Sequence, residues 1–178
     1  PHDKTDWFDI LDEVVPLYIT LSKEIVKHSR LLIACHNKAE RNEVKKHFSP
    51  TELQQIIFVE VESNDTWSRD HGAIYDFGYN AWGLKFAANH DNQITKKIYE
   101  KNIFSKEVEY SNRLDFILEG GAIESDGEGT LLTTSKCLLA ANRNQPLSKE
   151  EIEQYLKEQF GLVQVLWLDY GYLSGRHR

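Results

Sequence analysis

Methionine is absent from this chain of 178 residues, and cysteine occurs only twice, as Cys35 and Cys137. Two cysteines cannot build a disulfide framework, and neither lies at the spacing of a Cys or His metal site. The sequence therefore predicts no metal centre and a reducing, cytoplasmic location. Because the chain opens on Pro1-His2-Asp3 without an initiator methionine, we expect it to begin inside a longer sequence.

Long apolar runs are also missing, and positive charge is in the minority. No run approaches the roughly 18–20 residues that span a bilayer, and no signal-peptide pattern opens the chain. Lys and Arg number 21 against 28 Asp and Glu, which gives a formal charge of −7. Nucleic-acid binders depend on clustered Lys and Arg, so the sequence predicts neither nucleic acid nor membrane as a partner. The charge suits a cationic small molecule, although acidic surfaces are common.

What is present is an alternation of two apolar patterns along the whole chain. Apolar residues three and four apart predict helices over residues 6–28, 39–48, 92–101 and 149–160. Short continuous apolar runs predict strands over residues 31–35, 56–61, 73–77, 83–87, 116–118, 122–124, 131–134 and 162–168. The sequence therefore predicts an α/β protein.

The order of these elements repeats. Residues 73–77 and 83–87 are predicted to pair as a hairpin, and so are residues 122–124 and 131–134 around the turn Ser125–Gly129. A helix and a strand follow each hairpin, which gives a ββαβ module twice. Repeated modules share a core with their neighbours, so residues 1–178 are predicted to form a single partial domain.

Acidic and aromatic side chains gather where two apolar runs end. Asp65-Thr66-Trp67-Ser68-Arg69-Asp70-His71-Gly72 follows one run, and Leu118-Glu119-Gly120-Gly121 ends another. A guanidinium is planar, permanently charged and rich in N–H donors, so carboxylates can bind it at two points while an indole stacks on its face. The pattern predicts a pocket for a flat organic cation.

The same stretches resemble the agmatine deiminase family, which includes the bacterial-type peptidylarginine deiminases. The resemblance is carried by Asp-Thr-Trp-x-Arg-Asp-x-Gly at 65–72, Tyr-Asn-Ala-Trp-Gly at 79–83, Leu-Glu-Gly-Gly-Ala-Ile-Glu-Ser-Asp-Gly-Glu-Gly-Thr at 118–130 and Asn-Arg-Asn at 142–144. It covers essentially the whole chain. It implies a five-bladed α/β propeller, the pentein fold, built of ββαβ modules. This chain would be its N-terminal portion, about half of the five modules.

The resemblance also implies roles for individual residues. Asp70 corresponds to a carboxylate that grips the substrate guanidinium. Glu119 corresponds to a buried acid that orients the catalytic histidine or helps to hold the guanidinium. Trp67 and Trp82 correspond to aromatic residues that line the pocket. Arg69, with Gly120 and Gly121, is interpreted as structural, holding the acids and loops near the site.

The chemistry implied by the resemblance is hydrolysis of a guanidinium group without a cofactor. A cysteine thiolate attacks the guanidinium carbon, a histidine moves protons, ammonia leaves, and water cleaves the thiouronium intermediate. With agmatine the product is N-carbamoylputrescine, a step of putrescine synthesis. The family's histidine and cysteine follow a tract that matches 170–175, and His177 lacks the surrounding acids, so we expect a truncated chain.

Several alternatives stay open from the residues alone. The substrate could be peptidylarginine or free arginine, although Trp82 favours agmatine. A protein without the histidine and cysteine could instead be a binding module with no activity. Trp67 and Trp82 could be ordinary core residues. Cys35 is interpreted as a small buried side chain, and Cys137 as structural and not nucleophilic. Half a propeller would expose unfinished faces, so a homo-oligomer is also open.

Overall fold

The structure, a computed structural model, describes residues 7–72 and 76–171. These residues fall into two compact units. The first unit contains residues 7–67 and 88–109, and the second contains residues 68–72, 76–87 and 110–171. The single partial domain over 1–178 stays a prediction.

Helices and strands alternate through the described residues. In chain order they are α1 (Leu11–Ile25), β1 (Leu31–Cys35), α2 (Lys38–Lys45), α3 (Pro50–Leu53), β2 (Ile56–Glu60), α4 (Ser68–His71), β3 (Asp76–Gly78), α5 (Ala81–Leu84), α6 (Ile94–Glu100), β4 (Asn112–Ile117), β5 (Ile123–Ser125), β6 (Thr130–Thr134), α7 (Ser135–Leu138), α8 (Lys149–Phe160) and β7 (Gln164–Leu168). Short 3-10 turns lie at Phe8–Ile10, Asp91–Gln93 and Gly120–Ala122. The α/β class predicted from the sequence is confirmed.

The first unit is built on a parallel pair of strands. Strands β1 and β2 pair in register from Leu31 opposite Ile56 to Cys35 opposite Glu60. Helix α6 packs on this pair through a buried cluster, which consists of Val59, Val61, Ile94 and Ile98. The predicted strands and helices of this unit are confirmed to within a few residues, and the predicted start of the first helix at residue 6 lies outside the described residues.

The second unit contains the ββαβ module that the sequence predicts after residue 120. Strands β5 and β6 are antiparallel, and β6 pairs in parallel with β7. Helix α8 covers this sheet and contributes Ile152 and Leu156, both completely buried, to its core. Ser148 and Glu151 form a capping box at the start of α8, and Gly161 ends the helix at φ +66°. Local sequence signals thus set the ends of this helix.

The first predicted hairpin is wrong in the part that the structure describes. Strand β3 pairs in parallel with β4, and the stretch predicted as the second hairpin arm begins in the turn α5 instead. The side chain of Asn80 accepts the N–H of Gly83 and closes this turn, which overrides the strand preference of the residues that follow. Residues 73–75, the start of the first predicted arm, lie outside the described residues.

A parallel strand pair therefore recurs within the described residues, as β1–β2, β3–β4 and β6–β7. A complete ββαβ module is present once there, over residues 123–168. The propeller and its module count stay predictions.

We expect Leu156→Ala to lower the free energy of unfolding by about 2–5 kcal/mol, because it opens a cavity in the core under α8. Leu17→Ala is the matched control, since Leu17 is 64% exposed on α1, and we expect it to change that free energy by less than about 1 kcal/mol. The measurement is urea unfolding of the full-length protein that carries this chain. Equal losses for the two variants would contradict the placement of the core.

Candidate functional site

Asp70 lies on the single turn α4 with both carboxylate oxygens oriented by N–H donors. Its Oδ1 accepts the backbone N–H of Gly121 at 3.0 Å, and its Oδ2 accepts the indole N–H of Trp82 at 3.2 Å. The side chain is only partly buried. Each carboxylate oxygen can accept more than one hydrogen bond, so a positioned acceptor surface remains available to a cation.

The glycine pair after β4 is required by the closeness of α4. A Cβ atom on Gly120 would lie 2.1 Å from the carbonyl oxygen of Arg69, and one on Gly121 would lie 2.2 Å from Oδ1 of Asp70. A side chain at position 120 would displace the backbone of α4, and one at position 121 would displace the Asp70 carboxylate. The two glycines therefore allow the approach that brings a backbone N–H to Asp70.

Arg69 binds the loop around the glycine pair. Its Nε donates to the carbonyl of Gly120 at 3.2 Å, and its Nη2 lies 3.4 Å from the carbonyl of Ile123 and 3.3 Å from Glu124 Oε1. These contacts tie α4 to residues 120–124. The pairing with Glu124 partly offsets the positive charge of Arg69, which would otherwise repel a cationic ligand.

Trp82 is presented to Asp70 by a left-handed turn. Residues 81–84 all have positive φ, with Ala81 at 51°, Trp82 at 56°, Gly83 at 89° and Leu84 at 65°. For a residue other than glycine this conformation costs roughly 1–2 kcal/mol, so the turn persists only where its surroundings hold it. Trp82 was expected from the sequence to line the pocket, but its hydrogen bond to Asp70 was not predicted.

The turn is held by two asparagine side chains. Asn80 accepts the N–H of Gly83 at 2.9 Å, while Nδ2 of Asn142 donates to the carbonyl of Gly83 at 2.6 Å. Nδ2 of Asn80 in turn donates to the carbonyl of Asn142 at 2.7 Å. Asparagine three residues before glycine is a local signal for a turn. The contact with Asn142 spans 59 positions, and no local sequence signal predicts it.

Glu119 is buried and paired with Arg143. Nε of Arg143 lies 3.1 Å from each carboxylate oxygen, and Nη2 lies 3.0 Å from Oε1. The side chain of Glu119 is 2% exposed and that of Arg143 is 8% exposed. A pair buried to this degree depends on both partners, because either charge alone would be left desolvated. Sequence reasoning assigned no role to Arg143, since nothing local marks it as the partner of an acid 24 positions away.

Cys137 lies near the two acids of the site. Burial raises the pKa of the Cys137 thiol, with Glu119 and Asp70 raising it further and Arg143 opposing them. In the first unit, burial raises the pKa of Cys35 to about 11. Both thiols therefore stay protonated near neutral pH, which agrees with the interpretation of Cys35 as a small buried side chain and of Cys137 as structural and not nucleophilic.

A small cavity adjoins Asp70 on the side of His71. Its volume is ≈ 20 Å³, and its lining includes Asp70, His71, Gly72 and Gly120. This is room for about one water molecule. Among the described residues, neither ring nitrogen of His71 has a hydrogen-bond partner. Its ring packs 5.7 Å from that of Tyr79.

Trp67 belongs to the first unit, where its ring meets that of Trp7 edge to face at 5.1 Å. It is 41% exposed. The motif that contains Trp67 begins on a loop held by Asp91, whose side chain is buried and 1% exposed. Oδ1 of Asp91 accepts the N–H groups of Asn64 at 2.7 Å and Asp65 at 3.3 Å. Sequence reasoning did not identify Asp91. The role of Trp67 in binding a substrate stays a prediction.

Two kinds of feature are missing from the part of the chain that the structure describes. Across residues 7–72 and 76–171, no three His, Cys, Asp or Glu side chains come together as ligands for a metal ion. Over the same ranges, no helix has the length and apolar character to cross a bilayer.

Comparisons with known proteins agree with the motifs. The family model for Porphyromonas-type peptidyl-arginine deiminase matches residues 1–177. A provisionally named agmatine deiminase of Listeria monocytogenes is 42% identical over 133 residues, which are 66% of this chain and 35% of the relative.

Two solved structures are similar over nearly the whole chain. A provisionally named arginine deiminase from Porphyromonas gingivalis has a TM-score of 0.87 at 44% identity, covering 97% of this chain and 53% of the other. A Cys-to-Ser variant of the C. jejuni agmatine deiminase with substrate bound has a TM-score of 0.83 at 36% identity, covering 97% and 52%. This chain therefore spans about half the length of the solved structures it matches.

We expect Glu119→Gln to lower the free energy of unfolding by about 3–5 kcal/mol, because it leaves the buried charge of Arg143 without a counter-charge. Glu124→Gln is the matched control, since Glu124 also pairs with an arginine but is 76% exposed, and we expect a loss of at most about 1 kcal/mol. Chemical unfolding at neutral pH measures both. A loss for Glu119→Gln no larger than the control would show that the pair is not structural.

Proposed function

This chain belongs to the Porphyromonas-type peptidyl-arginine deiminase family, and we propose that it forms the substrate-gripping half of a hydrolase that converts agmatine and water to N-carbamoylputrescine and ammonia. The observation that carries the proposal is the Asp70 carboxylate, which is fixed by the N–H groups of Gly121 and Trp82. The names of relatives as agmatine deiminases support the substrate class.

Asp70 is the residue that we propose to grip the guanidinium. Two donors fix its orientation before a ligand arrives, so little conformational freedom is lost on binding. A carboxylate and a guanidinium form charge-assisted, paired hydrogen bonds, which orient the central carbon as well as attract the cation. Trp82 supplies the donor and, with its ring, an apolar surface for the aliphatic part of agmatine.

Glu119 is proposed to act beside Asp70 and not in place of it. Both of its oxygens already receive N–H groups from Arg143. This occupation favours the role of orienting the catalytic histidine over that of a second clamp on the substrate. Arg69, Gly120 and Gly121 are proposed to hold the acid-bearing loops without touching the ligand.

In the proposed chemistry, a thiolate attacks the guanidinium carbon and ammonia departs with a proton supplied by an imidazole. Water then displaces the sulfur from the thiouronium and leaves the ureido product. The raised pKa of Cys137 makes it unsuited to the attack. We propose that the attacking cysteine and the histidine lie in the part of the full-length protein that corresponds to the other half of the solved deiminases. The proposed route requires no metal or organic cofactor.

We further propose that the repeated parallel strand pairs are modules of the five-bladed pentein propeller. Three such pairs among the described residues and the similarity to solved deiminases support this arrangement. The cytoplasmic location predicted from cysteine usage and the open question of a homo-oligomer remain predictions from the sequence.

Peptidylarginine is the second candidate substrate, because the description of the family names it. The experiment is to measure ureido product and ammonia from agmatine, free arginine and a blocked arginine peptide with the full-length protein. We expect kcat/KM for agmatine to exceed that for free arginine by at least about tenfold, or ~1.4 kcal/mol, because Asp70 and Trp82, the described residues that we propose to bind the substrate, offer no positive charge to an α-carboxylate. A preference for the peptide would select the second candidate, and binding without turnover of any substrate would indicate a binding module.

We expect Asp70→Asn to lower kcat/KM for agmatine by at least about 100-fold, because a neutral amide loses the charge and one acceptor of the clamp. Asp115→Asn, an exposed change on β4, removes the same charge from the same unit and should leave kcat/KM unchanged. Steady-state assays, with thermal unfolding to verify that each variant is folded, provide the measurement. Near-normal kcat/KM in Asp70→Asn would reject Asp70 as the clamp.

A further inference from the structure

We infer that Asn142 is a positioning residue for the Asp70 carboxylate, acting through the turn that carries Trp82. It belongs to a segment, Asn142–Asn144, whose three consecutive side chains bind the turn of Trp82, the carboxylate of Glu119 and the end of β4, respectively. We call this segment the clasp. The inference rests on the proposed function only insofar as Asp70 grips a guanidinium.

The clasp is anchored at its C-terminal end to β4. Oδ1 of Asn144 accepts the N–H of Ile117 at 2.8 Å, and Nδ2 donates to the carbonyl of the same residue at 2.8 Å. Asn144 is 6% exposed. Its amide therefore binds the backbone of β4 two residues before Glu119 and fixes the C-terminal end of the clasp against that strand.

The middle residue of the clasp holds the first acid. Arg143 engages both oxygens of Glu119, as described above. The backbone of the clasp is thus fixed from two sides, by Asn144 on β4 and by Arg143 on the loop that follows it. Asn142 has a rigid base from which to act.

Asn142 uses that base to hold the turn of Trp82. Its Nδ2 donates to the carbonyl of Gly83 at 2.6 Å, and its own carbonyl receives Nδ2 of Asn80 at 2.7 Å. Glycine suits this position, because its φ of 89° is one that residues with a side chain avoid and an added Cβ atom would lie 2.5 Å from Nδ2 of Asn142. The hydrogen bond from Asn142 to the carbonyl of Gly83 couples the position of Asn142 to that of the turn.

The turn has no conformational reason to persist by itself. Ala81, Trp82 and Leu84 all have positive φ, which side-chain-bearing residues avoid. Without the bond from Asn142, the turn can relax and withdraw the indole N–H from Oδ2 of Asp70. Because Asn142 is itself exposed, the consequence falls on the orientation of Asp70 more than on the core.

The experiment replaces Asn142 by aspartate, which keeps the shape of the side chain and loses the donor, and by alanine, which loses the donor without adding charge. Asn102→Asp is the matched control, because Asn102 is an exposed asparagine whose Nδ2 also donates to a backbone carbonyl, that of Glu100. The full-length protein is labelled with 5-fluorotryptophan, and the signal of Trp82 is assigned from its loss in Trp82→Phe.

We expect both Asn142 variants to shift the Trp82 fluorine signal and to leave that of Trp167 in place. We expect kcat/KM for agmatine to fall roughly 10- to 100-fold, chiefly through a higher KM, since misplacement of a gripping group by about 1 Å has effects of this size. Asn102→Asp should change neither quantity. An unmoved Trp82 signal in a folded Asn142 variant would overturn the inference.

A double-mutant cycle tests the route of the effect. If Asn142 acts through Trp82, then Asn142→Ala adds little to the loss in kcat/KM already caused by Trp82→Phe. Multiplied effects in the double variant would show that Asn142 acts elsewhere and would overturn the inference. If the wild-type protein turned over no guanidine, the proposed function would fail, while the fluorine signal would still decide whether Asn142 positions Trp82.

Discussion

The buried ion pair between Glu119 and Arg143 is the constraint around which the second unit arranges its polar groups. Neither charge could remain at its depth without the other, so the loop after β4 and the segment 142–144 must stay together. Their association brings Asn142 to the turn of Trp82 and the glycine pair to α4. The orientation of Asp70 is a consequence of these contacts and not of its own turn.

A second constraint is the space between α4 and residues 120–121. Carbonyl and carboxylate oxygens approach the glycine Cα positions so closely that a methyl group does not fit. The close approach allows the backbone N–H of Gly121 to donate a hydrogen bond to Asp70. Acceptor groups fixed by a rigid surrounding are what a guanidinium site requires, because their orientation is established before the cation binds.

Part of this arrangement could be predicted from the sequence. The positions of Asp70 and Glu119 at the ends of apolar runs and the glycine pair indicated a site for a flat cation. That site stays a prediction, whereas the turn at 125–129 and helix α8 with its capping box are confirmed. The hairpin at 73–87 was wrong in its described part, since Asn80 and Gly83 close a left-handed turn where alternating apolar residues favour a strand.

The sequence by itself determined most of the elements and their order, because periodicity, caps and turn residues act over a few positions. The tertiary structure alone decided the pairing of β3 with β4, the bond of Trp82 to Asp70 and the choice of Arg143 as the partner of Glu119. The two side-chain contacts join residues 12 and 24 positions apart. Their existence depends on burial and on the close approach of chain segments, which no local pattern encodes.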